Sequence, residues 1–98
     1  MKISDYLDKT LSVVVDLTGI EAVEIMGRRR TPELVDARWT VIKLLREVGY
    51  SPSQIASVMN RHRRQIQAIL ANFDMRMKFS DPMMRSNYEA AAKQLRSN

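Results

Sequence analysis

Residues 51–72 read SPSQIASVMNRHRRQIQAILAN, and the break in the middle of this stretch decides the fold. Ser51, Pro52 and Gln54 make a helix start: a serine N-cap, a proline at the first helical position, and a glutamine three residues on that completes a capping box. About two turns follow, carrying Ile55, Val58 and Met59 inward, and Asn60 ends them because asparagine tolerates the left-handed conformation of a tight turn. The pattern then restarts, with Ile66, Ile69, Leu70, Phe73 and Met77 at i, i+3, i+4, i+7 and i+11 of one helix face. At ~100° per residue the opposite face carries Arg64, Gln67, Ala68 and Ala71, flanked by Arg61 and Gln65. This is a helix-turn-helix over 51–73, whose first helix braces the unit on a phosphate backbone while the start of the second enters a major groove. The two alanines let the helix come close to a surface, and arginine and glutamine reach past them to guanine and adenine. Arg63, Arg64, Gln65 and Gln67 are the candidate base-reading residues of a recognition helix over 62–73; the plainer reading of the same residues is a solvated polar face.

The flanking segments read as helices too. Tyr6, Leu7, Leu11, Val14 and Leu17 return at helical spacing after Ser4, a candidate N-cap, and stop near Gly19. Thr18 and Glu21 form a capping box for a short second helix with Ile20, Val23 and Met26 on one face and Gly27 as its stop. After the basic loop 27–31, Thr31 and Pro32 start a central core helix whose stripe is Leu34, Val41, Leu45 and Val48, up to Gly49. Ser80, Asp81 and Pro82 open a C-terminal helix over 81–96 carrying Met84, Tyr88, Ala91 and Leu95. The expected fold is all-α: one domain over 1–98 with about six helices.

Composition narrows the function classes. Hydrophobic residues at 45% and charged residues at 28% of 98 fit an ordinary packed domain. Without cysteine there is no disulfide, thiolate zinc site or cysteine nucleophile, and one histidine builds no metal site, so neither metal nor cofactor is expected. There is no run of ~18 apolar residues and no apolar stretch near Met1, so neither a membrane span nor a secretory signal is expected, and the expected location is cytoplasmic, on the nucleoid. The net charge of +5 is segregated: residues 1–26 hold two basic and five acidic side chains, whereas 27–78 hold eleven basic and four acidic. A field of that sign on half of a small domain attracts polyanions, nucleic acid first.

Three stretches together carry a family resemblance: GRRRTPELVDAR at 27–38, LLREV at 44–48 and SPSQIA at 51–56. In that order they resemble the basic loop, long helix and first motif helix of the C-terminal DNA-binding domain of the bacterial replication initiator DnaA, in the Trp-repressor-like helix-turn-helix group. The resemblance implies double-stranded DNA as partner. Arg30 would enter the minor groove, with Arg28 and Arg29 beside it; Arg38 would reach out of the long helix to DNA; Arg46 and Ser51 would hold the backbone. The departure lies at the turn. The family has Gly-Gly-Arg-Asp-His-Thr-Thr, whereas this chain has Asn60-Arg-His-Arg-Arg-Gln65, one residue shorter, with only Arg61 retained and His62, Arg63 and Arg64 in altered places. A target other than the initiator's box is therefore expected. No phosphate-loop motif for an ATPase is present, so the chain resembles the DNA-reading end used alone, in a small regulator or a replication protein of a bacterium, phage or mobile element.

Other residues carry two readings each. His62 reads as a phosphate or base contact or as plain surface, and Trp39 as packing against the N-terminal helices, covering a partner, or flanking DNA. The acid pairs Asp5/Asp8 and Glu21/Glu24 share helix faces, but no base or nucleophile accompanies them, so no enzyme is expected; they read as solvated faces turned away from DNA. Seven methionines and the final amphipathic helix leave a second function open, a homo-oligomeric interaction or packaging-adaptor module with mainly nonspecific DNA contact.

Overall fold

Prolines stand at the starts of three helices and left-handed residues at the ends of three, and the chain is partitioned accordingly. The computed structural model describes residues 2–97, which form α1 (Ile3–Thr18), α2 (Ala22–Met26), α3 (Pro32–Val48), α4 (Pro52–Met59), α5 (Arg63–Phe79) and α6 (Pro82–Ser97), with no strand among the described residues. The all-α expectation with six helices holds. Gly49 ends α3 at φ 116, and Asn60 ends α4 at φ 54 and ψ 52, the one non-glycine in the left-handed region among the described residues. The capping box of α4 forms as expected: the Ser51 hydroxyl accepts from the Gln54 N–H at 3.2 Å, and the Ser51 N–H donates to Gln54 Oε1 at 2.8 Å.

Two expected starts are corrected. The N-cap of α1 is Lys2, without a side-chain bond, and Ser4 lies inside the first turn. Thr18 does not open α2: its hydroxyl donates to the Val14 carbonyl at 2.8 Å and accepts from the Ile20 N–H at 3.1 Å, which closes α1 instead. Glu21 is the N-cap of α2, and the buried residue of that helix is Ile25, while Val23 is 72% exposed. Ile20 lies before this helix, so the expected face loses its first member, and α2 packs on α3 and buries Ile25.

The core sits around α3, which touches all five other helices. That is why Ala37, Ile42 and Leu44 are buried beside the expected Leu34, Val41 and Leu45, whereas Val48, past the last neighbour, is exposed. α1 and α6 pack on each other and on α3; α4 and α5 pack on each other and on α3. Ile55, Met59, Ile66, Ile69 and Phe73 join the two halves of the helix-turn-helix into this core. α6 turns Met84, Ala91 and Leu95 inward, so the face expected to serve a second copy is already covered within the chain. Tyr88 adds an edge-on contact to Phe73 at 5.4 Å and donates to the Glu47 carboxylate at 2.6 Å. Asp36, early in α3, accepts from Arg76 Nε at 2.7 Å and from the Ser80 hydroxyl at 2.8 Å, which ties the far end of α5 to the start of α3.

Candidate nucleic-acid interface

The outer face of α5 is built by what its inner face buries. With Ile66, Ile69 and Phe73 inward, Arg63, Arg64, Gln67, Ala68 and Ala71 are exposed and Gln65 is half-buried. Arg63, Arg64 and Gln67 make no side-chain hydrogen bond or ion pair with any described residue, so their donors and charge are free for a partner. His62 is the N-cap of α5 and makes no capping bond. The first N–H groups of α5 therefore lack a side-chain acceptor, the arrangement that suits an incoming phosphate.

The basic loop lies against the turn of this motif. Arg28 Nη2 donates to the Asn60 carbonyl at 3.3 Å, from a loop 32 residues earlier in the chain. Arg30 is exposed and unpaired among the described residues, and Arg29 makes a loose pair with Glu24 at 3.6 Å. Loop and recognition helix thus share one surface. Between them runs a groove of ≈ 540 Å³ whose walls include Arg28 and Arg30 on one side and Gln65, Ala68 and Asn72 of α5 on the other; no residue of α1 lines it.

Two arginines proposed as DNA contacts are turned the other way. Arg38 is 4% exposed, and its head does not reach out as expected: Nε donates to the Ile25 carbonyl at 2.7 Å, and Nη2 donates to the carbonyls of Glu24 at 3.2 Å and Arg29 at 3.0 Å. The end of α2 and the loop after it supply these carbonyls, of which that of Glu24 also accepts from the Gly27 N–H, and they make this burial tolerable. Arg61 is half-buried and donates to the carbonyls of Met26, at 3.4 Å, and Gly27. Burial, and after it the charges of Arg61 and Arg30, pulls the Arg38 guanidinium below its ordinary range; burial, then Arg28 and Arg30, does the same to Arg61. Neither Arg38 nor Arg61 makes an ion pair with a carboxylate among the described residues, and with Arg28 and Arg30 they concentrate positive charge here.

The remaining expected residues lie elsewhere. Arg46 is about 20 Å further along α3 than the loop, exposed, with Nη1 donating to the Tyr50 carbonyl at 3.3 Å beside the N-terminus of α4. The Ser51 hydroxyl accepts inside its capping box, which leaves its proton available to a phosphate oxygen. Trp39 does not pack towards the N-terminal helices; its ring lies under the Arg76 guanidinium at 5.1 Å and lines the groove. Its place with Asn72 was missed in the sequence, and the signal was present: Trp39 stands one residue after Arg38, away from the Val41 stripe.

No helix among the described residues is long and apolar enough to cross a membrane. No curated protein and no solved structure matches the chain. Residues 32–76, from the start of α3 to the last turn of α5, match the family model of the homeodomain-like domain. That match spans α3, α4 and α5, helices that line the groove, and with their geometry it supports a helix-turn-helix in this part of the chain.

Proposed function

We propose that the chain is a sequence-reading double-stranded DNA-binding protein in which the start of α5 lies in the major groove and Arg28–Arg30 lie in the adjacent minor groove or on the backbone. One observation carries this reading: the basic loop, through Arg28 and Arg30, and α5, through Gln65 and Ala68, wall the same groove, and Arg63, Arg64 and Gln67 stand exposed on that same helix. Arginine reads guanine and glutamine reads adenine in bidentate pairs, and Ala68 and Ala71 let the helix approach closely enough for either. His62, Arg46 and Ser51 stand at or beside helix N-termini, where they hold phosphates and set the register without specifying sequence. The resemblance to the DNA-binding domain of DnaA supports the same two-element docking over one domain, used by a small cytoplasmic, nucleoid-bound regulator or replication protein of a bacterium, phage or mobile element.

The test is selection of bound sites from a random duplex library at near-physiological salt. An enriched motif that loses its preference at one or two base pairs in Arg64→Ala supports the reading. Binding without enrichment, falling steeply with salt, removes it in favour of a nonspecific grip. One observation favours the second reading, an assembly or packaging module: Met75, Phe79 and Met83 are 62%, 74% and 57% exposed at the junction of α5 and α6. Light scattering separates the two, since a large ring supports assembly and a monomer or dimer supports a reader.

A further inference from the structure

Three segments that are distant in sequence are joined by hydrogen bonds from arginines to main-chain carbonyls. Arg38 of α3 holds Glu24, Ile25 and Arg29, across the end of α2 and into the loop. Arg61, in the turn between α4 and α5, holds Met26 and Gly27. Arg28 returns from the loop to Asn60 of that turn. Every acceptor is a main-chain carbonyl, so each bond fixes backbone position rather than the rotamer of a flexible acid. A planar guanidinium presents its donors in a fixed fork and so holds carbonyls in one set geometry, whereas the three donors of an ammonium rotate on a flexible stem.

We infer that Arg38 and Arg61 are positioning residues that lock the basic loop to the turn before α5, so that loop and recognition helix act as one rigid reader with a single permitted offset between their target base pairs. The inference rests on the DNA-reading proposal for what is read, and on the carbonyl network alone for the lock. Gly27 lies at the lock: a Cβ there would meet the Val23 carbonyl oxygen at 3.2 Å, so a side chain would require the end of α2 to give by a few tenths of an ångström. Arg61 Nε is buried without a partner, and both carbonyls of this side of the lock are held by Nη2. A loop tethered by one exposed contact could slide to suit different spacings. Tethered from both sides by buried donors, it cannot.

The chain has no cysteine, so spin labels attach only where one is introduced. Labels at Arg29→Cys on the loop and Ser57→Cys on α4, both exposed positions, report the loop-to-motif distance in the free protein by pulsed electron resonance. A narrow distribution that broadens in Arg38→Lys, and likewise in Arg61→Lys, with helix content retained, supports the lock. A broad distribution in the parent, or an unchanged one in both lysine variants, overturns it. The second measurement uses the selected site with one base pair inserted between its loop-side and helix-side parts. The parent should lose on the order of tenfold in affinity, whereas Arg38→Lys should lose much less and keep its preferences at the helix-side base pairs. An equal insertion penalty in both proteins refutes the single offset. Failure to select any motif alongside a narrow parent distribution fails the DNA-reading proposal and leaves the lock standing, so the two can be told apart.

Discussion

Arg38 and Arg64 belong to the same basic stretch, and the fold uses them in opposite ways. Arg38 is buried and its donors end on three carbonyls; Arg64 is exposed with no partner among the described residues. The difference is acceptor supply. The end of α2 and the loop after it present carbonyls beside Arg38, whereas Arg64 makes no hydrogen bond to a described residue. The charge carried by 27–78 is therefore divided between arginines that hold the basic loop to the helix-turn-helix and arginines that face outward from it, and only the second kind should respond to added salt.

The sharpest way to break this contrast is to remove Arg38. Arg38→Met should lower stability by about 3 kcal/mol, because hydrogen bonds to a charged donor are worth that order and three carbonyls lose theirs; a urea titration checks it, and a loss under about 0.5 kcal/mol would mean the head is not needed for folding. Arg64→Ala should show the reverse pattern, leaving stability within about 0.5 kcal/mol but costing roughly 1 to 3 kcal/mol of affinity for the selected site. If Arg64→Ala unfolds the domain, the division between inward and outward arginines fails.

Smaller effects sharpen the same line. Tyr88 is held neutral by burial and then by its bond to Glu47, so its pKa is raised above the ordinary tyrosine value. Because the folded state favours the protonated phenol, this contribution is complete below pH ~10 and is lost as the pH rises above that unfolded-state value towards the folded one. Thermal unfolding should thus fall more steeply above pH ~10 in the parent than in Tyr88→Phe. The smallest effect belongs to Arg29, whose side chain is 75% exposed opposite Glu24. Arg29→Ala should change stability by under about 0.5 kcal/mol and lower the salt slope of DNA binding by about one.

Most of the helix-turn-helix was legible in residues 51–72. The capping box, the left-handed Asn60 and the inward Ile66, Ile69 and Phe73 all follow from neighbours within a few positions. The start of α2 was not legible, because Thr18 and Glu21 satisfy the spacing of a capping box while the threonine hydroxyl has a nearer acceptor in α1. Arg63, Arg64 and Gln67 were legible as an exposed set because the opposite face is strongly apolar. Arg61 was assigned to the same face by angle, yet it precedes the first turn of α5, where helical angles do not yet apply.

The local sequence determined where α3 and α4 begin and end, which faces of α4 and α5 are apolar, and that the basic loop precedes the central helix. These depend on interactions between residues about four apart or closer, which the sequence displays directly. Tertiary structure alone decided that the heads of Arg38 and Arg61 turn inward, that Trp39 lies under Arg76, and that the apolar face of α6 is covered. The acceptors of Arg38 lie 9 to 14 residues away and those of Arg61 34 to 35 away, while Asp36 and Arg76 are 40 apart. An arginine takes the direction of the carbonyls it can reach, and those are placed only when α2, α3 and the turn before α5 have come together.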